Sequence, residues 1–197
     1  MPRIRSDDYE VKAQAIMDAA AAIFAKEGYP AAKMQDVAKA CGATKSMLYH
    51  YFPTKDDLLF AMLQEHLQGI LTTMEGTVGS GANASQRLQL LVEDYTQKST
   101  QSRRRHVVAM NDVKFLPKAK QTPLIQLQRK LSDLVSQLLT DLNPGLPQEV
   151  YKPYAMMLLG MLNWSDLWYK PSGPIKPQEL CDRMTRLFTT GFMAEKA

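Results

Sequence analysis

Along nearly the whole chain, apolar side chains recur at three- and four-residue spacing, and no run of alternating apolar and polar residues is long enough to build a sheet. That pattern predicts an all-α fold. Ile16, Ala19, Ile23 and Phe24 form a first stripe; Leu58, Leu59, Met62, Leu63, Leu67, Ile70, Leu71 and Met74 form a broad face; Leu124, Leu127, Leu131, Leu134, Leu138 and Leu142 form a third. With 197 residues, 45% of them apolar, the chain can bury one or two modest cores.

Caps and breakers divide it. The first helix is expected to open at Asp7, with Glu10 completing a capping box, and to stop at Gly28 ahead of Tyr29 and Pro30. A short helix over 34–40 follows. Gly42 and Ala43 turn the chain, Thr44 supplies a cap hydroxyl, and a third helix over 45–52 ends at Pro53. Thr54 opens a helix of nearly twenty residues, with Asp57 at the capping-box position, long enough to bridge two domains. Gly76, Gly79, Ser80 and Gly81 mark a loop, then a helix carries Leu88, Leu91, Val92 and Tyr95. A basic stretch from Lys98 leads into 107–116. A long helix entered through Thr122 and Pro123 ends at Asn143-Pro144-Gly145, an apolar helix spans roughly 149–169, and the last runs from Pro177 to Phe192.

Several function classes drop out. Cys41 and Cys181 stand alone, without a second Cys or His at ligand spacing, so no disulfide framework or zinc site is predicted and both read as small buried residues. The three histidines (50, 66, 106) lack a carboxylate arrangement that resembles a catalytic set. No phosphate-cradling glycine motif and no Gly-x-Ser-x-Gly is present. Neither a membrane span nor a signal peptide fits, which makes a cytoplasmic, non-enzymatic protein with no cofactor or metal the expectation.

The helix pair over 34–52 is the first candidate site. A duplex major groove admits one helix, whose outer face must be polar or small while its back packs on the domain. Leu48 and Phe52 point inward in this register, leaving Lys45, Ser46, Met47, Tyr49, His50 and Tyr51 outward. A glycine-turned helix pair is equally compatible with plain packing, so spacing alone leaves both readings open.

Residues 11–59 carry more. Phe24-Ala-Lys-Glu-Gly-Tyr29, Met34-Gln-Asp-Val-Ala38 and Cys41-Gly-Ala-Thr-Lys-Ser-Met-Leu-Tyr-His-Tyr-Phe-Pro-Thr-Lys-Asp-Asp-Leu-Leu59 resemble the TetR/AcrR family of bacterial transcriptional regulators. The resemblance implies a three-helix helix-turn-helix DNA-binding domain over 1–53 and a helical effector-binding and dimerisation domain over 54–197. It places Thr44, Tyr49, Tyr51 and Lys55 on phosphates and Lys45, Ser46, Met47 and His50 nearest the bases of double-stranded operator DNA. One position departs from the pattern. Where the family usually has Ser or Thr before Met34, this chain has Lys33, which removes a cap and offers a charged phosphate contact instead. Arg3 and Arg5 read either as a minor-groove arm or as a solvated tail.

Charge is distributed unevenly. Residues 1–60 hold eight Lys and Arg against eight Asp and Glu, whereas 98–130 hold nine against the single Asp112. Three readings of the basic segment compete: a solvated face, a second nucleic-acid surface, or a site for an anionic effector. The segment 163–180 resembles the family subset that responds to coenzyme A thioesters. That resemblance implies an apolar tunnel, with Met62, Phe115, Leu116, Met157, Met161 and Trp164 as wall candidates, and Arg103, Arg104, Arg105, Lys114 and Lys118 on the phosphates. The penultimate helix is apolar nearly all round and the last carries Leu180, Met184, Leu187, Phe188 and Phe192, more surface than one monomer core can cover. A homodimer through a four-helix bundle is therefore expected. The implied function is a repressor of a catabolic operon, released by an acyl-CoA or an aryl-CoA such as phenylacetyl-CoA. The alternative is a related regulator answering to another hydrophobic ligand or to a protein partner.

Overall fold

No Pro or Gly stands between residues 3 and 27, and a single helix, α1 (Arg3–Glu27), uses the whole interval. The structure is a computed structural model that describes residues 3–196, with side chains described over 8–165 and 167–196. Because α1 starts at Arg3, Asp7 lies inside it and no capping box opens the helix there; the side chains of Arg3, Arg5 and Asp7 lie outside the described residues. The buried stripe is also rotated from the expected one. Ile16, Met17, Ala20, Ala21 and Phe24 are buried, while Ala19 and Ile23 are only half covered. Two adjacent alanines let neighbouring helices approach closely, and that choice of face is set by packing rather than by spacing.

Gly28, at φ +78°, ends α1 with its N–H on the Phe24 carbonyl at 2.9 Å. Two seven-residue helices follow, α2 (Met34–Ala40) and α3 (Lys45–Tyr51), then α4 (Lys55–Val78). Thr54 and Asp57 form the reciprocal cap of α4: the Asp57 N–H donates to the Thr54 hydroxyl at 3.0 Å, and that hydroxyl donates to the Asp57 carboxylate at 2.6 Å. Beyond α5 (Ala84–Gln101) come α6 (Arg103–Asn111), a 3-10 turn over Val113–Phe115, α7 (Lys118–Leu142), α8 (Gln148–Trp168) and α9 (Pro177–Ala194). The described residues form helices throughout and contain no strand. Two boundaries differ from expectation. α6 starts inside the basic stretch, and α7 begins one turn before Thr122, because Pro123 near a helix start deletes only one intrahelical bond.

The chain packs as two compact units, residues up to 67 with 104–125, and residues 68–103 with 126–197. The expected division at 53/54 falls inside the first unit. The reason is a set of bonds to the beginning of α4. Arg105, its side chain 11% exposed, donates to Glu65 at 2.6 Å, Asp18 at 2.7 Å and Gln14 at 2.9 Å, and Gln14 donates to Glu65 at 2.5 Å. Lys120 pairs with Asp57. His66 and His106 meet in the interior, ring nitrogens 3.2 Å apart.

In the second unit α5 packs on α8 and α9, and α8 on α9. Asn83 and Gln86 make a full capping box at the start of α5, which the sequence reading did not single out. Arg87 donates to the Val78 carbonyl and to Asp141, each at 3.0 Å. The Tyr151 hydroxyl donates to the Asn143 carbonyl at 2.7 Å and accepts from the Leu146 N–H at 3.2 Å, closing the loop between α7 and α8. No helix among the described residues is long and apolar enough to cross a membrane.

The histidine pair gives the first unit a pH dependence. Burial, aided by His106 and Arg105, pushes the His66 imidazole down to about 3 from its usual 6.5. The unfolded chain therefore takes up a proton that the folded state refuses, so stability is complete above pH 6.5 and is lost as pH falls from there towards 3. From pH 7 to pH 5 the expected loss is roughly 2 kcal/mol, at 1.36 kcal/mol per unit. Denaturant melts at the two pH values measure it, and His66→Gln, which keeps a hydrogen-bonding side chain but cannot titrate, flattens the profile.

Candidate nucleic-acid interface

The turn between α2 and α3 is built by the backbone. Gly42 sits at φ +67°, a left-handed conformation that side chains disfavour, and the Ala43 N–H returns to the Ala38 carbonyl at 2.9 Å. Thr44 then takes extended backbone, and its hydroxyl accepts the Met47 N–H at 3.2 Å, capping α3. Cys41, expected to be buried, is half exposed at this turn, its thiol donating to the Ala38 carbonyl; Cys181 is buried as expected.

Leu48 is completely buried and Phe52 nearly so, which fixes the rotation of α3. Thr44, Lys45, Ser46, Tyr49 and His50 are exposed together, with Met47 and Tyr51 half-buried at the edge. The Lys45 ammonium lies 5.9 Å from the centre of the Tyr49 ring. Tyr51 stacks on Tyr9 of α1, centroids 4.5 Å apart, and meets His50 edge-on at 5.8 Å. Tyr9 was absent from the sequence reading; its one available signal was an aromatic among charged residues two turns before the α1 core. Lys33 is exposed at the start of α2 in extended backbone and makes no side-chain cap, as its substitution for Ser or Thr implied.

Lys55 does something different from its expected phosphate contact. Its ammonium donates to the carbonyls of Tyr29 at 2.8 Å, Ala32 at 3.0 Å and Pro30 at 3.4 Å, and lies 4.4 Å from the centre of the Tyr29 ring. Three donors meet three carbonyls of a loop that has no helix to satisfy them. Lys55 thus fastens the α1–α2 loop. Tyr29 is itself buried, its hydroxyl donating to Asp56 and its ring stacking with Phe115 at 6.2 Å. Burial and the Asp56 carboxylate push that phenol well above its usual value.

The neutral count over 1–60 also gains an account. Asp18 is paired with Arg105 and Asp57 with Lys120, both cations coming from the basic segment, and Asp8 pairs with Lys12 at 2.8 Å. Counted by compact unit, the first holds thirteen Lys and Arg against ten Asp and Glu. Part of the basicity assigned to an effector belongs to the unit that carries α3.

The effector candidates fall in both units. Met62 is buried in the core of the first unit, and Phe115 is 44% exposed against Tyr29 with Lys114 5.2 Å from its ring centre. Leu116 is buried. Arg105 is committed to Glu65 and Asp18, whereas Arg104 and Lys118 are exposed and Arg103 is exposed at the start of α6. In the second unit, Met157 and Trp164 are 61% and 66% exposed and Met161 is half-buried. They line no cavity described in that unit, because α8 buries its other side, through Tyr151, Ala155, Leu158 and Leu162. Among the described residues no group of three or more His, Cys, Asp or Glu side chains could hold a metal.

This arrangement of capped short helices, left-handed turn and exposed polar helix face matches known proteins at two places. Residues 16–62 match the family described as bacterial regulatory proteins, tetR family, and residues 81–192 match the tetracyclin repressor-like C-terminal domain. The chain belongs to the TetR family. A TetR-family transcriptional regulator from Bordetella parapertussis 12822 is 32% identical, with 94% of this chain and 97% of that one covered and a TM-score of 0.86. The transcriptional repressor KstR2 of Mycobacterium tuberculosis is 23% identical over 91% of this chain and 92% of its own. AibR, solved with isovaleryl coenzyme A and operator DNA, shares the fold at a TM-score of 0.79 and 23% identity, covering 89% of this chain and 97% of its own. As a TetR-family protein this chain is a DNA-binding transcriptional regulator and not an enzyme.

If Lys33 meets a phosphate, Lys33→Ala lowers the slope of log affinity against log salt for operator DNA by about one. Lys55→Met, by contrast, lowers the melting temperature and leaves that slope unchanged once the protein is folded. Electrophoretic or anisotropy titrations at several salt concentrations separate the two.

Proposed function

We propose that this TetR-family chain acts as a cytoplasmic homodimeric repressor of a catabolic operon, and that a coenzyme A thioester of a small apolar or aromatic acid releases it from its operator. The observation that carries the DNA half is the joint exposure of Thr44, Lys45, Ser46, Tyr49 and His50 above a fully buried Leu48. Lys45, Ser46, Met47 and His50 would read base edges, while Lys33, Thr44, Tyr49 and Tyr51 hold phosphates, the last steadied by Tyr9.

Dimerisation is supported by the uncovered side of α8 and α9. Met157, Trp164, Trp168 and Leu187 are all more than half exposed, and Leu187 reaches 72%. Large apolar side chains left exposed on two helices that pack together mark a surface for covering, and two half-sites one helical turn apart require two copies. Met157 and Trp164 are better read as interface residues than as pocket walls.

The thioester reading is supported by relatives whose names include a fatty acid metabolism regulator of Bacillus subtilis and the isovaleryl coenzyme A complex of AibR. It is also supported by Arg104 and Lys118, exposed cations that form no ion pair among the described residues. Arg105 leaves the phosphate set because its guanidinium is already engaged. Release follows only if the ligand binds more tightly to a conformer whose two α3 helices no longer match adjacent grooves.

Two measurements test this reading. Titrating operator-bound protein with phenylacetyl-CoA and fatty acyl-CoA should displace the DNA where the free acids do not; displacement by free acids alone refutes the thioester. Sedimentation of Leu187→Glu should give a monomer with operator affinity reduced at least tenfold, against a dimer for the parent.

A further inference from the structure

The second unit holds a cavity of about 460 Å³ that none of the predicted effector residues lines. Its walls are the C-terminal half of α5 (Glu93, Asp94, Thr96, Gln97), the loop after α8 (Tyr169) and the start of α9 (Cys181). The volume is that of a small-molecule site. Among the described residues no Lys, Arg or His lines it.

Its charge is uncompensated. The Glu93 carboxylate accepts only neutral amides, from Gln89 and Gln178 at 2.6 Å each, and Asp94 accepts the Thr77 hydroxyl. Asp182, behind Cys181, likewise accepts from Gln89 at 2.9 Å and Gln178 at 3.2 Å. Among the described residues none of the three has an ion pair. The negative carbonyl end of α5 and the positive start of α9 both reach the cavity and offset each other, so the carboxylates set the sign.

A second observation points to a ligand. Thr96 lines the cavity at 6% exposure, and its buried hydroxyl has no oxygen or nitrogen partner among the described residues, only the weakly bonding Cys181 thiol. A hydroxyl so weakly paired gains from a bound polar group. Beside it the Cys181 thiol is held protonated by burial and by Glu93 and Asp182, and so serves as a neutral wall.

We propose that this cavity is a second small-molecule site, independent of the thioester reading, that takes a compact organic cation: an apolar body against Pro171, Pro177 and Tyr169, with an ammonium facing Glu93 and Asp94. The same walls exclude phosphates and carboxylates. A coenzyme A headgroup does not fit here.

Calorimetry on the full chain with phenethylamine and benzyltrimethylammonium, beside neutral 2-phenylethanol and anionic phenylacetate, tests the sign of the charge. At least one cation should bind saturably, tenfold or more tighter than the alcohol, with no binding of the acid. Glu93→Gln and Asp94→Asn, chosen to keep shape and hydrogen bonding, should each weaken the cation at least tenfold while circular dichroism stays that of the parent. Should either variant fail to fold, Gln97→Lys, at an exposed lining position, decides: the added charge should weaken both cations at least tenfold while circular dichroism stays that of the parent. Equal binding of cation and alcohol, unchanged affinity in the folded variants, or no binding of either cation overturns the proposal.

Discussion

Arg105 joins three helices of the first unit through one planar group. Its guanidinium reaches Asp18 and Gln14 on α1 and Glu65 on α4 from its own place on α6, and it is mostly withdrawn from water. A fork of fixed donors suits that task better than a lysine, because several acceptors are met without further ordering of the chain. Removing it would leave two carboxylates facing each other across the α1–α4 contact. With the His66–His106 contact one residue away, it makes residues 104–125 part of the unit that carries the recognition helix. The helix-turn-helix of this regulator is thus not a free-standing three-helix module.

The α1–α2 loop shows the same economy at shorter range. Carbonyls 29, 30 and 32 lie outside any helix, and the Lys55 ammonium satisfies them while Tyr29 is held by Asp56, Lys55 and Phe115. A lysine matched to a family phosphate position is used internally. Asp8, Asp18 and Asp57 are paired and α3 itself carries no carboxylate, so a segment with no net charge still presents a helix face of Lys, Ser, Tyr and His.

In the second unit, apolar surface and charge are separated. α8 and α9 bury one side each and leave Trp164, Trp168 and Leu187 uncovered, whereas the cavity by α5 carries unpaired carboxylates. An interface needs broad, dry, uncharged contact; a cation site needs fixed negative groups and a body-sized space. The two features lie on different residues, so each can be altered without removing the other.

The all-helical class, the Gly42 turn, the Thr44 cap and the outward set on α3 were legible in the amino-acid sequence, because spacing, a left-handed glycine and a hydroxyl cap are local properties. Family membership was legible for the same reason: its motif is a contiguous run. What α1 buries, where the first unit ends, and whether Lys55 and Arg105 face solvent or partners were not legible. Each depends on groups 23 to 91 residues apart in the chain meeting in space. The start of α1 also escaped the reading, since an acceptable cap at Asp7 competes with uninterrupted helix on its N-terminal side. Sequence determined the elements and the reading face; tertiary packing decided which charges remain available to bind anything, because a charge already paired inside the fold has little left to offer a ligand.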